Sequence, residues 1–184
     1  MRAVVLVEGP SDAGAVEALA AGRGRDLAAE GVDVVTIGGI QAMGRELRRY
    51  GPPGLDLRLA GLYDAGEEHV LRRAAEGVGL GPADTRADLE RLGFFVCHRD
   101  LEDELIRALG ATGVEAIVAA QGDLGRFRTL QKQPEWRGRP LDEQLRRFFG
   151  SGGRRKIRYA PLLVEALVEL DRVPRPLDGV LGYL

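Results

Sequence analysis

The stretch RAVVLVEGPSDAGAVEAL, residues 2–19, decides how the chain begins to fold. Its opening run, RAVVLV, is apolar without a break, as expected of a strand buried on both faces rather than on one. The run ends in a carboxylate, Glu8, and a Gly-Pro turn follows. Next comes SDAGAVEALAAG (11–22), whose spacing reads as a helix with Ser11 available as its N-cap. An acid that ends a buried strand needs a partner. A second acid, Asp12, stands four residues further on.

Working outward, the alternation repeats. VDVVTI (32–37) reads as a second strand, followed by a helix running to about Tyr50. LRLAGLYD (57–64) reads as a third, with a charged helix from Glu67 to about Glu76. LGFFVCH (92–98) is a fourth, leading into the helix DLEDELIRALG (100–110). Apolar strands alternating with helices predict an α/β fold with a parallel sheet covered on both faces. Four more helices are expected at roughly 112–121, 123–132, 140–149 and 155–170, and VPRPLDGVLGYL (173–184) is expected as an extended tail. The chain then divides into an α/β core, 1–110, and a helical extension, 111–184, packed on it as a single structural unit.

At 184 residues and 45% hydrophobic content, the chain can bury a real core. No segment approaches the roughly 18–20 apolar residues of a membrane span, so no membrane partner is expected. One cysteine, Cys97, leaves no internal disulfide and no thiolate zinc site, and fits a cytoplasmic setting. The net charge of −2 hides an asymmetry. Residues 1–125 hold 13 basic and 21 acidic side chains, whereas residues 126–158 hold 11 basic and 3 acidic. Such a distribution suits a polyanion contact beside an acidic site. A solvated Arg-rich face explains the charge alone equally well.

In a parallel sheet the strand ends share one edge, where ligands collect. The first strand brings Glu8 and Asp12 there; the third brings Asp64, Glu67 and Glu68. The fourth brings His98, Asp100, Glu102, Asp103 and Glu104. Converging carboxylates repel unless neutralised, and hard oxygen donors suit Mg²⁺ or Mn²⁺. Duller accounts stand beside this one. Asp12 serves equally as a first-turn acid complementing the helix dipole, and Asp100 as an N-cap. Glu67, Glu68 and Glu104 read as solvated helix acids, and Cys97 as a small core residue.

Here the sequence resembles a known family. VEGPSD (7–12) and GLYDAGE (61–67) look like the two acidic motifs of the TOPRIM domain. FFVCHRDLEDELIRALG, QGDLGRFRTLQKQPEWRG and RRKIRYAPLLVEAL, in that order, are similar to the TOPRIM half of the OLD (overcoming lysogenization defect) endonucleases. The resemblance runs from Arg2 to about Pro176 and implies a Rossmann-like, four-stranded parallel sheet flanked by helices with a helical C-terminal extension. Carried over by position, Glu8, Asp12, Asp64 and Glu102 match the family's metal ligands, with Glu67 and Asp100 as further candidates. Lys156 matches the basic residue facing the scissile phosphate. The resemblance thus implies Glu8 and Lys156 as the catalytic residues.

One departure stands out. The second aspartate of the family's DxD motif is Gly66 here, with Glu67 next to it. Either Glu67 substitutes, or one metal is held weakly, or activity is lost. No GxxxxGKS/T loop is present, so the chain is expected to lack intrinsic ATPase activity. The resemblance implies a metal-dependent nuclease acting on nucleic acid, DNA in the first instance, with one or two Mg²⁺ or Mn²⁺ ions. A free-standing enzyme is the simpler reading, and a separate ATPase chain is the partner otherwise implied. Arg126, Arg128, Arg154, Arg155 and Arg158 are the expected backbone-binding residues. The alternative is a TOPRIM module that binds nucleic acid or a partner without catalysis.

Overall fold

The computed structural model describes residues 2–184. Strand β1, Ala3–Val7, is buried along its whole length, because it lies inside the sheet with β2 (Val32–Thr36) on one side and β3 (Arg58–Asp64) on the other. Strand β4, Phe94–Cys97, completes an order of β2-β1-β3-β4, and every pairing is parallel. The β1 side chains alternate between two cores. Ala3, Val5 and Val7 belong to one, Val4 and Leu6 to the other. Both faces of the sheet are therefore covered, which is why the strand carries no polar residue until Glu8.

Helices α2 (Met43–Tyr50), α3 (Glu68–Gly77) and α4 (Arg86–Arg91) cover one face. The other face is covered by α1 (Pro10–Gly22) together with α5 (Leu101–Leu109) and the helices that follow it. These are α6 (Ala111–Ala120), α7 (Leu124–Lys132), α8 (Leu141–Gly150), α9 (Gly153–Glu169) and α10 (Arg175–Tyr183). Among the described residues, no helix is long and apolar enough to cross a membrane.

Helix α1 lies against α9 at close range, and small residues permit it. A Cβ on Gly14 would sit 3.1 Å from Cγ of Pro161, and one on Gly22 would sit 3.1 Å from Cγ1 of Val168. This contact delivers the first turn of α9, with Lys156, to the sheet edge where β1 ends. Behind it Phe127, Phe148, Phe149 and Tyr159 form a chain of tilted rings 5.0 to 5.9 Å apart. Edge-on and tilted contacts of this kind fix helix positions beyond simple area burial.

Two expectations need correction. Helix α1 starts one residue earlier than expected, so its N-cap is Gly9 and not Ser11; Pro10, in the first turn, has no N–H to leave unpaired. The C-terminal segment is not an extended tail but helix α10, laid over β3 and β4. Pro174 caps it and Pro176 lies in its first turn, where a missing N–H costs nothing. Helix α4 has no counterpart in the expectations. It starts at a reciprocal cap, where Asp88 N–H donates to Thr85 Oγ1 (3.1 Å) and Thr85 N–H donates to Asp88 (2.8 Å).

Candidate metal centre

Register sets the site. Leu6 pairs with Gly61, so the chain leaves β1 and β3 side by side, at Glu8 and Asp64 respectively. A single 3-10 turn, Ala65–Glu67, then swings Glu67 back over the sheet edge. The result is a trio: carboxylate oxygens of Glu8, Asp64 and Glu67 all lie within 4.8 Å of one another. Among the described residues no Lys, Arg or His forms an ion pair with any of the three. One oxygen of Glu67, Oε2, is buried and has no hydrogen-bond partner.

The trio opens into a cavity of about 310 Å³, whose other polar walls are Ser11, Asp12, Asp100, Glu102 and Lys156. Every sequence-expected carboxylate ligand therefore faces one space. They do not play one part. Asp12 accepts a hydrogen bond from the Gly9 N–H at 3.0 Å, so one of its oxygens is spent on the helix cap. Asp100 caps α5, accepting from Asp103 N–H at 2.8 Å, and receives Arg146 at 2.5 Å. Glu102 is 7% exposed and pairs with Lys156 Nζ at 3.1 Å.

The electrostatics follow from this crowding. Burial, reinforced by Glu67 and Glu8, pushes the Asp64 carboxyl up to about 7. Burial also raises Asp12, to about 6, although the Gly9 N–H opposes the shift. Glu67 moves up as well, through burial and then Glu8. A concave site that pushes several of its acids upward is short of positive charge. Cys97, against the floor of the cavity, is held far above its ordinary value by burial and Asp64, as befits a core thiol.

The five arginines expected to bind nucleic acid are placed less uniformly. Arg126 and Arg158 both pair with Asp123, at 2.7 and 3.1 Å, and Tyr159 Oη donates to the same carboxylate at 2.9 Å. The Tyr159 hydroxyl, followed by those two guanidinium groups, holds Asp123 below the usual carboxylate range. Arg128 is bidentate to Glu115. Arg155 lies over the Phe148 ring and donates to its carbonyl, and Arg154 is exposed. Sequence reasoning held Arg139, Arg146 and Arg147 within the basic stretch without singling them out and passed over Arg99; these four gather in a second cavity of about 540 Å³ next to the acids. Counting charges along a chain cannot show which guanidinium groups are already taken.

A four-stranded parallel sheet in this order, covered by helices on both faces, is the fold of the C-terminal regions of OLD proteins. More particularly, residues 1–51 match the family model described as overcoming lysogenization defect protein-like, TOPRIM domain. That match contains Glu8 and Asp12. The fold of the whole chain is similar to the C-terminal region of the Burkholderia pseudomallei OLD protein, with a TM-score of 0.74 and 20% identity over 99% of this chain and 96% of that one. It is also similar to the C-terminal region of the Xanthomonas campestris pv. campestris OLD protein, with a TM-score of 0.72 and 24% identity over 99% of this chain and 93% of that one. No curated protein matches the chain significantly.

Proposed function

We propose that this chain is a Mg²⁺- or Mn²⁺-dependent nuclease that hydrolyses phosphodiester bonds of nucleic acid, with DNA as the first substrate to test. The observation that carries the reading is the unneutralised trio of Glu8, Asp64 and Glu67 at the carboxyl edge of a parallel sheet. Three hard oxygen donors, one with a buried orphan oxygen, fit a small divalent cation better than a proton or a water. Glu8, Asp64 and Glu67 would hold the first ion, with Asp12 and Glu102 available to a second. A bound ion would supply Lewis-acid polarisation of the phosphoryl oxygens and a more acidic water.

The remaining roles belong to the chain itself. Water adds to phosphorus, one P–O ester bond breaks, and the leaving oxygen takes up a proton. Lys156, fixed by Glu102, presents a full positive charge to the phosphate as negative charge builds on its oxygens. The apolar floor, from Ile37, Ile40 and Leu62, limits water around these charges and strengthens each interaction. Gly66 supports the second reading, a binding module without catalysis, because it removes one acid of the family motif. Incubation of supercoiled plasmid with the purified protein and Mg²⁺ or Mn²⁺ separates the two. Nicking that disappears in Glu8→Ala supports the nuclease; plasmid binding without nicking supports the module.

A further inference from the structure

The second cavity inverts the charge of the first. Its walls carry Arg99, Arg139, Arg146 and Arg147, together with Lys156, against only Asp100, Glu102 and Glu143. Three of these cations are already committed. Arg146 is held by Asp100 at 2.5 Å and Asp103 at 3.8 Å, and Lys156 by Glu102. Arg139 reaches Glu143 at 3.4 Å and donates to the Glu135 carbonyl at 2.9 Å. Among the described residues, Arg99 and Arg147 have no carboxylate partner.

Trp136 organises this wall. Arg139 and Arg147 lie over its ring, 5.3 and 5.8 Å from the centroid. Its carbonyl accepts from Gln144 at 2.9 Å, and Gln144 in turn accepts from Gln131 at 2.6 Å. Gln144 is 6% exposed, so the hydrogen bonds that seat the tryptophan backbone are anchored in the interior. Crowded guanidinium groups held in place by an aromatic ring are preorganised for an anion. The neighbourhood says which anion, since Asp100, Glu102 and Lys156 line both cavities.

We infer that the basic cavity seats the backbone phosphate next to the scissile one, with Arg99 and Arg147 as its ligands and Trp136 as the residue that positions Arg147. This rests on the nuclease reading above and adds to it the path of the strand away from the acids. A phosphate bound there fixes register without reading sequence.

The test separates binding from cleavage. Affinity for a fluorescent single-stranded oligonucleotide is measured by anisotropy in Ca²⁺ over a range of salt. Hydrolysis of bis(p-nitrophenyl) phosphate, which has no second phosphate, is followed in Mn²⁺. Arg99→Ala and Arg147→Ala should each weaken the oligonucleotide by about 5- to 20-fold and together lower the salt slope by about one. Neither should slow hydrolysis of the small diester. Trp136→Phe should keep the affinity and Trp136→Ala should lose it, while Arg172→Ala, an exposed charge elsewhere, should change nothing. The assignment is overturned if affinity survives in both arginine variants, or if Arg172→Ala weakens binding as much as they do. It is overturned equally if the small diester suffers as much as the oligonucleotide. Were the wild type to hydrolyse nothing, the nuclease reading would fail while the binding series still decided the cavity.

Discussion

Lys156 Nζ lies 3.1 Å from Oε2 of Glu102, which joins the first turn of α9 to the first turn of α5 across the mouth of the acidic cavity. Burial opposes the ammonium charge, but the Glu102 carboxylate, joined by Asp100 and Asp12, holds Lys156 above its ordinary value. The lysine therefore stays charged throughout the neutral range. Replacing it with methionine keeps the stem and removes the charge. Lys156→Met should lower the single-turnover rate of oligonucleotide cleavage by about 10²–10³-fold, while affinity for the uncleaved strand falls less than about tenfold. An equal loss in both would make Lys156 a binding residue only.

Glu67 stands where the missing aspartate of the acidic motif leaves Gly66. A Cβ at Gly66 would meet nothing within 4 Å, and its backbone is not left-handed. Aspartate therefore fits at position 66 without strain. Calorimetric titration with Mn²⁺ should show Glu67→Ala weakening the ion by about 10–100-fold, the loss expected when a ligand or its close support is removed. Adding Gly66→Asp to that variant should restore most of the affinity. If Glu67→Ala binds Mn²⁺ as the wild type does, Glu67 is a surface acid and the trio is coincidental.

The site costs the fold stability in the absence of metal. Asp64 titrates near 7 in the folded chain because burial and then Glu67 and Glu8 disfavour its charge, against 3.8 when unperturbed. Between those values the folded state binds more protons than the unfolded one, so stability falls as pH rises through the window. Asp64→Asn removes that penalty. In chelator at neutral pH it should gain about 1–2 kcal/mol, the full shift being discounted for water reaching a half-buried site, and melt a few degrees higher. At about pH 4 the difference should vanish. With Mn²⁺ present the order should reverse, because only the wild type gains from binding the ion. A melting series that shows no pH dependence of the difference would mean that Asp64 is ionised in the fold.

Much of this was legible in the amino acids, for reasons that particular residues make clear. Residues Ala3 to Val7 read as a doubly buried strand because the sheet leaves them no solvent face, and Glu8 stood out against that run. Asp64 stood out in the same way. Partnerships between distant segments were not legible. Nothing local distinguishes Arg158, tied to Asp123, from Arg147, which has no carboxylate partner among the described residues, since both are arginines in one basic stretch. The cap of α4 was written in Thr85 and Asp88, but a helix of only 6 residues has little periodicity to confirm it. The C-terminal segment, expected as an extended tail, holds Pro174 and Pro176, and the start of a helix is where proline costs least.

Helix α10 covers β3 and β4, and its fit against β4 depends on one missing side chain. A Cβ at Gly179 would run into the Phe95 ring, and Tyr183, at the end of the helix, packs against Gly93. Phe95 belongs to the larger core, and its strand ends at Cys97 beneath the acids, so lifting α10 loosens the floor of the site. Gly179→Val should destabilise the protein by about 2–4 kcal/mol through overpacking, partly offset by the better helix propensity of valine over glycine. Gly182→Val, on the same helix but with nothing within 4 Å of its Cβ, should cost less than about 1 kcal/mol. Urea unfolding of the two variants makes the comparison. Equal midpoints would mean that α10 does not pack on Phe95, and that the C-terminal segment contributes little to the sheet it covers.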